Sequence, residues 1–156
     1  LGKTKFDSII TLDGDGQNDP NDIPDLITKY LEDKKVKFVA GIRQKRKDSF
    51  TKKITSKIAN KIRKFILNDD CDDSGCALRI FDKKIFLKLP YFKGLHRFLP
   101  ALFKACGIKT EFIKVNHRKR KFGVSNYGTL RRLIFGIIDI VRVIYIIILI
   151  KNDKLS

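Results

Sequence analysis

Residues 9–20 read Ile9-Ile10-Thr11-Leu12-Asp13-Gly14-Asp15-Gly16-Gln17-Asn18-Asp19-Pro20. An apolar run meets two carboxylates one residue apart, and glycine and proline follow at once. A buried strand that opens into an acidic loop has this form. Two acids at i and i+2 on the lip of a sheet can share one hard cation, which in turn can hold a diphosphate. Asp13 and Asp15 are the candidate metal ligands. The alternative for both is a cap or a turn residue, since acids crowd loops generally.

Outward from that stretch, strands alternate with helices. Residues 6–12, 36–42, 76–81 and 108–115 read as strands. Ile23, Leu26, Ile27, Tyr30 and Leu31 recur at helical spacing. Asn21 or Asp22 is the expected cap of that helix, with Pro24 in its first turn, where a missing N–H costs little. Asp82 is placed to cap a short helix through Leu89, and residues 97–106 form a further helix stopped by Gly107. This alternation predicts an α/β layer fold. Cys71, Cys76 and Cys106 are odd in number and lack metal-ligand spacing, so packing in a reducing compartment is expected. The chain contains no Met and begins almost directly with a strand, which predicts a fragment whose preceding residues are missing.

The chain has 156 residues, 43% of them hydrophobic, and a formal net charge of +17. Residues 1–33 hold eight acids and three lysines, a net −5, which leaves +22 on the remainder. A body so basic seeks a polyanion: nucleic acid, an anionic membrane or a phosphorylated substrate. Codon bias toward Lys, Ile and Asn is the bland alternative for part of the excess.

Two segments depart from a plain core pattern. In residues 50–67, Ile54, Ile58, Ile62 and Ile66 recur every fourth position among Lys52, Lys53, Lys57, Lys61, Arg63 and Lys64. This is a basic amphipathic helix, suited either to a membrane interface or to packing on the sheet with a solvated basic face. Residues 130–150 are largely apolar but interrupted by Asp139 and Arg142, which can pair at i and i+3. The unbroken part is shorter than the roughly 20 residues a bilayer needs. A helix lying on the membrane is expected here, with a core helix or an oligomer contact as the alternative.

The blocks together resemble the dolichol-phosphate mannosyltransferase-like enzymes, family 2 glycosyltransferases that move a sugar from a nucleotide onto a polyprenyl phosphate. Residues 13–20 resemble that family's Asp-x-Asp-x-Gln-x-x-Pro motif. Asp73-Ser74-Gly75-Cys76-Ala77-Leu78-Arg79 resembles its Asp-Thr/Val-Gly-x-x-x-Arg/Lys block, and His96-Arg97-Phe98 its His/Arg-Phe segment. Arg120-Lys121-Phe122-Gly123-Val124-Ser125-Asn126-Tyr127 resembles its Arg-x-x-Gly-x-Ser-Lys-Tyr motif, with Asn126 in place of Lys; Lys119 or Lys121 could take over the phosphate contact. The family's amino-terminal half, including its Pro-x-Tyr-Asn-Glu motif, is absent from these residues.

The resemblance implies a partial GT-A type, Rossmann-like sheet flanked by helices, with amphipathic interfacial helices. Residues 1–127 would be the carboxy-terminal portion of the catalytic domain, and residues 128–156 an apolar membrane-interface helix and tail. It implies an inverting transfer from a GDP- or UDP-sugar to a dolichyl- or undecaprenyl-type phosphate at the cytoplasmic membrane face. Asp13 and Asp15 would hold Mg²⁺ or Mn²⁺, with Gln17 beside the metal and sugar. Asp15 and Asp73 are the candidate catalytic residues. Arg43, Arg79, Arg118, Arg120 and Ser125 are candidates for the acceptor phosphate, because guanidinium forks match its oxygens. Tyr127 either joins them or shapes the Gly123 turn, while His96 and His117 are expected to be structural. A basic membrane- or nucleic-acid-binding module without catalysis is the alternative. Nucleic acid is disfavoured, since the basic helix carries isoleucine rather than stacking aromatics. Self-association is left open.

Overall fold

Val36–Arg43 forms the strand β2 at the heart of the protein, and it is buried continuously from Phe38 to Gly41. A strand apolar on consecutive residues must be covered on both faces. The computed structural model describes residues 5–44, 50–118 and 129–152, with the backbone alone for residues 50–57, 59 and 129–135. Along the chain, β1 (Ser8–Thr11) leads to α1 (Ile23–Glu32), β2, α2 (Phe50–Leu67) and β3 (Arg79–Asp82). Then follow α3 (Lys83–Lys88), α4 (Leu99–Ala105), β4 (Lys109–Val115) and α5 (Thr129–Lys151).

The four strands make one sheet in the order β1-β3-β2-β4. β3 runs antiparallel to both its neighbours, and β2 and β4 are parallel. The carboxyl ends of β1, β2 and β4 therefore share one edge with the start of β3. This mixed α/β sheet matches the expected layer class. The antiparallel β3 is where it differs from a purely parallel sheet.

Successive residues point to opposite faces. Phe38, Phe81, Phe103 and Leu102 fill one core with α4 and part of α5, and Phe38 and Phe103 have ring centroids 5.1 Å apart. Leu26, Tyr30, Val39, Leu78, Ile80 and Val115 fill the other core beneath α1. At Gly41 an added Cβ would lie 2.6 Å from a Val115 methyl and 3.1 Å from Cys76 Sγ, so only glycine fits there.

Three local expectations are corrected. Asp22 stands at the N-cap position of α1 as expected, but its side chain makes no cap hydrogen bond: Asp19 accepts from the Asn21 N–H, a 3₁₀ turn spans Pro20–Asp22, and α1 follows from it. Asp22 already has helical backbone angles, and its carboxylate turns instead to Asn116, accepting from the backbone N–H at 2.7 Å and from Nδ2 at 2.8 Å. The strand expected over 76–81 pairs only as Arg79–Asp82, although Cys76 and Leu78 are buried. The helix expected over 97–106 divides into a 3₁₀ turn at Leu95–Arg97 and α4, which ends before Gly107 at φ +73°. Asp82 caps α3 as expected, accepting from the Ile85 N–H at 3.0 Å.

The two unusual segments are helices. On α2, Ile58, Ile62 and Ile66 are exposed and Phe65 is 88% exposed, whereas Arg63 and Leu67 are buried. The Ile54 side chain lies outside the described residues. The Arg63 guanidinium holds Asp69 and the Cys71 carbonyl, tying the helix to the loop that follows it. On α5, Asp139, Val143 and Ile146 face inward, and Ile137, Val141 and Tyr145 face outward. No helix among the described residues is long and apolar enough to cross a membrane.

Gly41→Ala is expected to lower the stability of the protein by about 1–3 kcal/mol, the usual range for an overpacked core. Equilibrium urea unfolding checks this; an unchanged midpoint would show that β2 and β4 can separate without cost.

Candidate active site

Loop 12–19 leaves β1 at one margin of the sheet and is clamped to the end of β4 at the other. Asn18 is buried and forms an antiparallel bridge with His117, and its Oδ1 accepts the Asp13 N–H at 2.8 Å. Asp15 Oδ1 accepts the Gln17 N–H at 3.0 Å, turning the chain at Gly16, whose φ is +76°. The Gln17 carbonyl accepts from the Arg118 N–H at 3.0 Å, and Gln17 Nε2 lies 3.4 Å from His117 Nε2. Arg118 pairs with Asp19, Nη2 to Oδ2 at 2.5 Å. With Asp22 on Asn116, the acidic loop is fixed at four successive points.

This crossing brings distant residues to one edge. Arg79 opens β3 with Thr11 and Ala40 as its neighbours across the ladder. It is 3% exposed. One Nη donates to the His96 carbonyl and the other to the Ser74 carbonyl at 2.7 Å. Among the described residues no carboxylate pairs with it. Burial holds the Arg79 pKa below the ordinary guanidinium value, yet arginine keeps its charge at any physiological pH. A buried cation hydrogen-bonded to two carbonyls, with the Asp73 and Asp13 charges near it but not bonded to it, keeps a field that favours a bound anion.

Arg79 and Asp13 both line a cavity of about 470 Å³. Phe86, Phe92 and Leu95 form much of its remaining wall, with His96 and Arg97 beside them. Desolvation of the His96 ring, and after it the nearby Arg79 and Arg97 charges, hold its pKa below the usual imidazole value. His96 is therefore neutral at pH 7.

Asp73 and Arg43 hold each other. Asp73 Oδ2 accepts from Arg43 Nε at 2.7 Å and Oδ1 from Nη2 at 2.7 Å, with the Arg43 backbone N–H at 3.2 Å. Gly75 allows the pair to close, since a Cβ there would lie 2.8 Å from Arg43 Nη2. Both carboxylate oxygens of Asp73, a candidate catalytic residue from the sequence, are engaged by Arg43. Cys71 and Cys76 are buried, and burial pushes the Cys76 thiol up to about 11, so it packs as an inert thiol.

Asp13, Asp15, Gln17, Arg43, Asp73 and Arg79 thus gather at one edge of the sheet, and Arg118 reaches it through Asp19. Arg120, Ser125, Tyr127, Lys119 and Lys121 lie outside the described residues. The Asn18–His117 clamp and the Arg97 wall carry no motif-level signal beyond Gly94 and the His96-Arg97-Phe98 block. No group of three or more His, Cys, Asp or Glu side chains gathers as a metal cage among the described residues. Asp13 and Asp15 fit a different arrangement: an exposed carboxylate that lines the cavity and a half-buried one two residues further along the same loop. Mg²⁺ is commonly held by one or two carboxylates, with water and substrate phosphates completing the shell.

The chain is 35% identical over 140 residues to dodecaprenyl-phosphate galacturonate synthase of Rhizobium johnstonii. The match covers 88% of this chain and 41% of that protein, so the chain spans about two fifths of its relative. No family model matches the chain.

Because the folded His96 pKa is depressed, its contribution to stability is fully present above the unfolded value near 6.5 and is lost as pH falls toward the folded value. His96→Gln is expected to flatten the pH dependence of the urea midpoint in that window. An unaltered slope would place the titration elsewhere.

Proposed function

We propose that the chain is part of a family 2 polyprenyl-phosphate glycosyltransferase, as its likeness to dodecaprenyl-phosphate galacturonate synthase suggests, and that the protein transfers a sugar from a nucleotide-sugar donor to a polyprenyl phosphate at the cytoplasmic face of a membrane. The supporting observation is the cavity that Asp13 and the buried Arg79 share at the carboxyl edge of the sheet. It offers a carboxylate toward a metal–diphosphate and a guanidinium toward an acceptor phosphate. The mixed sheet with its flanking helices is compatible with part of a GT-A fold.

Asp13 and Asp15 would hold Mg²⁺ or Mn²⁺, which when bound neutralises the departing diphosphate. Gln17, fixed through its backbone to Arg118, lies beside that pair. The acceptor phosphate has a second pKa near 6 and is mostly dianionic at neutral pH. It can therefore attack without a general base. Its oxygen forms the bond to the anomeric carbon as the carbon–oxygen bond to the nucleoside diphosphate breaks. The electron pair leaves with the diphosphate, no proton moves, and a single displacement inverts the centre. Asp73 then acts by orienting the Arg43 fork. Arg43, Arg79 and Arg118, with Arg120, would neutralise repulsion between the two phosphates, and the Ser125 hydroxyl would donate a hydrogen bond to the acceptor phosphate.

The outward Ile58, Ile62 and Phe65 of α2 and Ile137, Val141 and Tyr145 of α5 are exposed apolar residues on helices that touch each other. We assign them to the membrane surface that holds the acceptor's isoprenoid tail, supported by the basic charge around α2.

Asp15→Asn in the full-length protein is expected to reduce sugar transfer by about 10²–10³, the usual scale for losing one preorganised electrostatic contact. Mass spectrometry of the lipid product, with a donor panel that includes a nucleotide uronate because the relative is named for galacturonate, reads both activity and sugar choice. Transfer at the unaltered rate would remove the metal assignment. Flotation with anionic vesicles is expected to be strong at low salt and weaker at high salt, since exposed charges are screened. Binding to RNA without vesicle binding would favour the nucleic-acid alternative.

A further inference from the structure

Asp139 stands apart from everything assigned so far. It lies on α5, in a segment made largely of Ile, Val and Leu, and it is 6% exposed. It is turned away from the exposed apolar face and toward the 94–97 turn, where Oδ2 accepts from Arg97 Nη2 at 2.6 Å. Arg142, one turn further on, reaches the other oxygen at 3.4 Å. The surroundings are shaped around this contact. Gly94 has φ +98°, and a Cβ there would lie 2.7 Å from Arg97 Nη2 and 3.1 Å from Asp139 Oδ2. Arg97 also lies over the Phe98 ring at 5.7 Å, and Arg142 over Phe92 at 5.6 Å.

Arg97 is not spent by this pairing. Its side chain is about one third exposed and lines the same cavity as Arg79 and Asp13. A guanidinium has five N–H donors in a planar fork, and the carboxylate of Asp139 engages one nitrogen. The cavity wall next to it is aromatic and aliphatic, through Phe86, Phe92 and Leu95. Cationic groups beside an apolar wall suit a phosphate monoester carrying a hydrocarbon tail. A nucleotide or a free sugar would ask for many more polar partners.

The geometry points to Arg97 as a second guanidinium contact for the acceptor phosphate, held in position by Asp139 of α5. Arg97 is the binding residue and Asp139 the positioning residue, so the helix with the exposed apolar face also aims a cation into the cavity. The inference rests on the transferase reading above and adds to it a specific link between α5 and the acceptor site. The oxyanion chemistry alone would also fit the donor's diphosphate, and steady-state kinetics separates the two.

The test uses the full-length enzyme, a polyprenyl phosphate in detergent micelles, and whichever nucleotide sugar the wild type turns over. Arg97→Gln is expected to raise the acceptor KM by about 10- to 100-fold, the scale of a lost charged hydrogen bond, with the donor KM unchanged. Arg97→Lys keeps the charge but loses the fork and falls between. Asp139→Asn raises the acceptor KM in the same sense but less, and adds little to Arg97→Gln in the double variant. Circular dichroism and thermal unfolding confirm that each variant is folded. An acceptor KM unchanged in folded Arg97→Gln overturns the inference, as does a rise confined to the donor KM or a uniform loss of kcat. Absence of transfer by the wild type with every donor and lipid tested would sink the transferase reading itself, which is a separate outcome.

Discussion

The bridge between Asn18 and His117 joins opposite margins of the sheet. β3 and β2 lie between β1 and β4, so the acidic loop must pass over their ends to reach residues 116–118. At about 4.8 Å per strand the crossing is on the order of 14 Å. A loop of that span would ordinarily sample many shapes. Here Asn18, Asp19, Gln17 and Asp22 each find a partner beyond β4. The positions of Asp13 and Asp15 are thereby fixed by the clamped loop as well as by the bond from the Gln17 N–H to Asp15 Oδ1. Pre-positioned charge costs no reorganisation when a ligand arrives.

Parallel β1, β2 and β4 end where the antiparallel β3 begins, so one edge collects the last residues of three strands and the first of a fourth. That is why Arg79 can be deeply buried and still line a cavity. Its backbone belongs to the sheet, and its side chain leaves at the margin. The two carbonyls that receive it are supplied by the 74–77 approach to β3 and by the 3₁₀ turn at Leu95–Arg97. The same turn places Arg97 and His96, so a single stretch sets three of the nitrogen-bearing groups around the cavity.

What could be read from the sequence follows the range of each interaction. The Asp-Gly-Asp loop after an apolar strand is a local pattern, and so are the Asp82 cap and the helix at Phe50–Leu67. Each depends on residues within a few positions. The partner of Asp73 is 30 residues away and is fixed by the register of Ala40 against Arg79. The Asp22–Asn116 contact spans 94 residues, and it takes from α1 the cap that local rules assign to Asp22. The fourfold isoleucine repeat of α2 gives the period but not the face. The orientation is decided by Arg63, whose guanidinium meets Asp69 and the Cys71 carbonyl and leaves Ile58 and Ile62 outside.

Asp139 carries the same lesson into α5. Apolar side chains cover nearly every direction of that helix, so hydrophobic burial alone specifies its rotation poorly. A carboxylate among them has only one acceptable direction, toward cations, and Arg97 and Arg142 supply it. Burying that charge gains little net stability compared with an apolar residue of similar size. What it does gain is uniqueness of orientation: Val143 and Ile146 turn to the core, and Ile137, Val141 and Tyr145 turn away from it. Rotating α5 by half a turn would part the Asp139 carboxylate from Arg97 and Arg142 and release Arg97 from its place at the cavity wall. The exposed face of the helix and the position of that arginine are therefore set by one ion pair, so a surface that bears on the outer side of α5 bears also on the cavity.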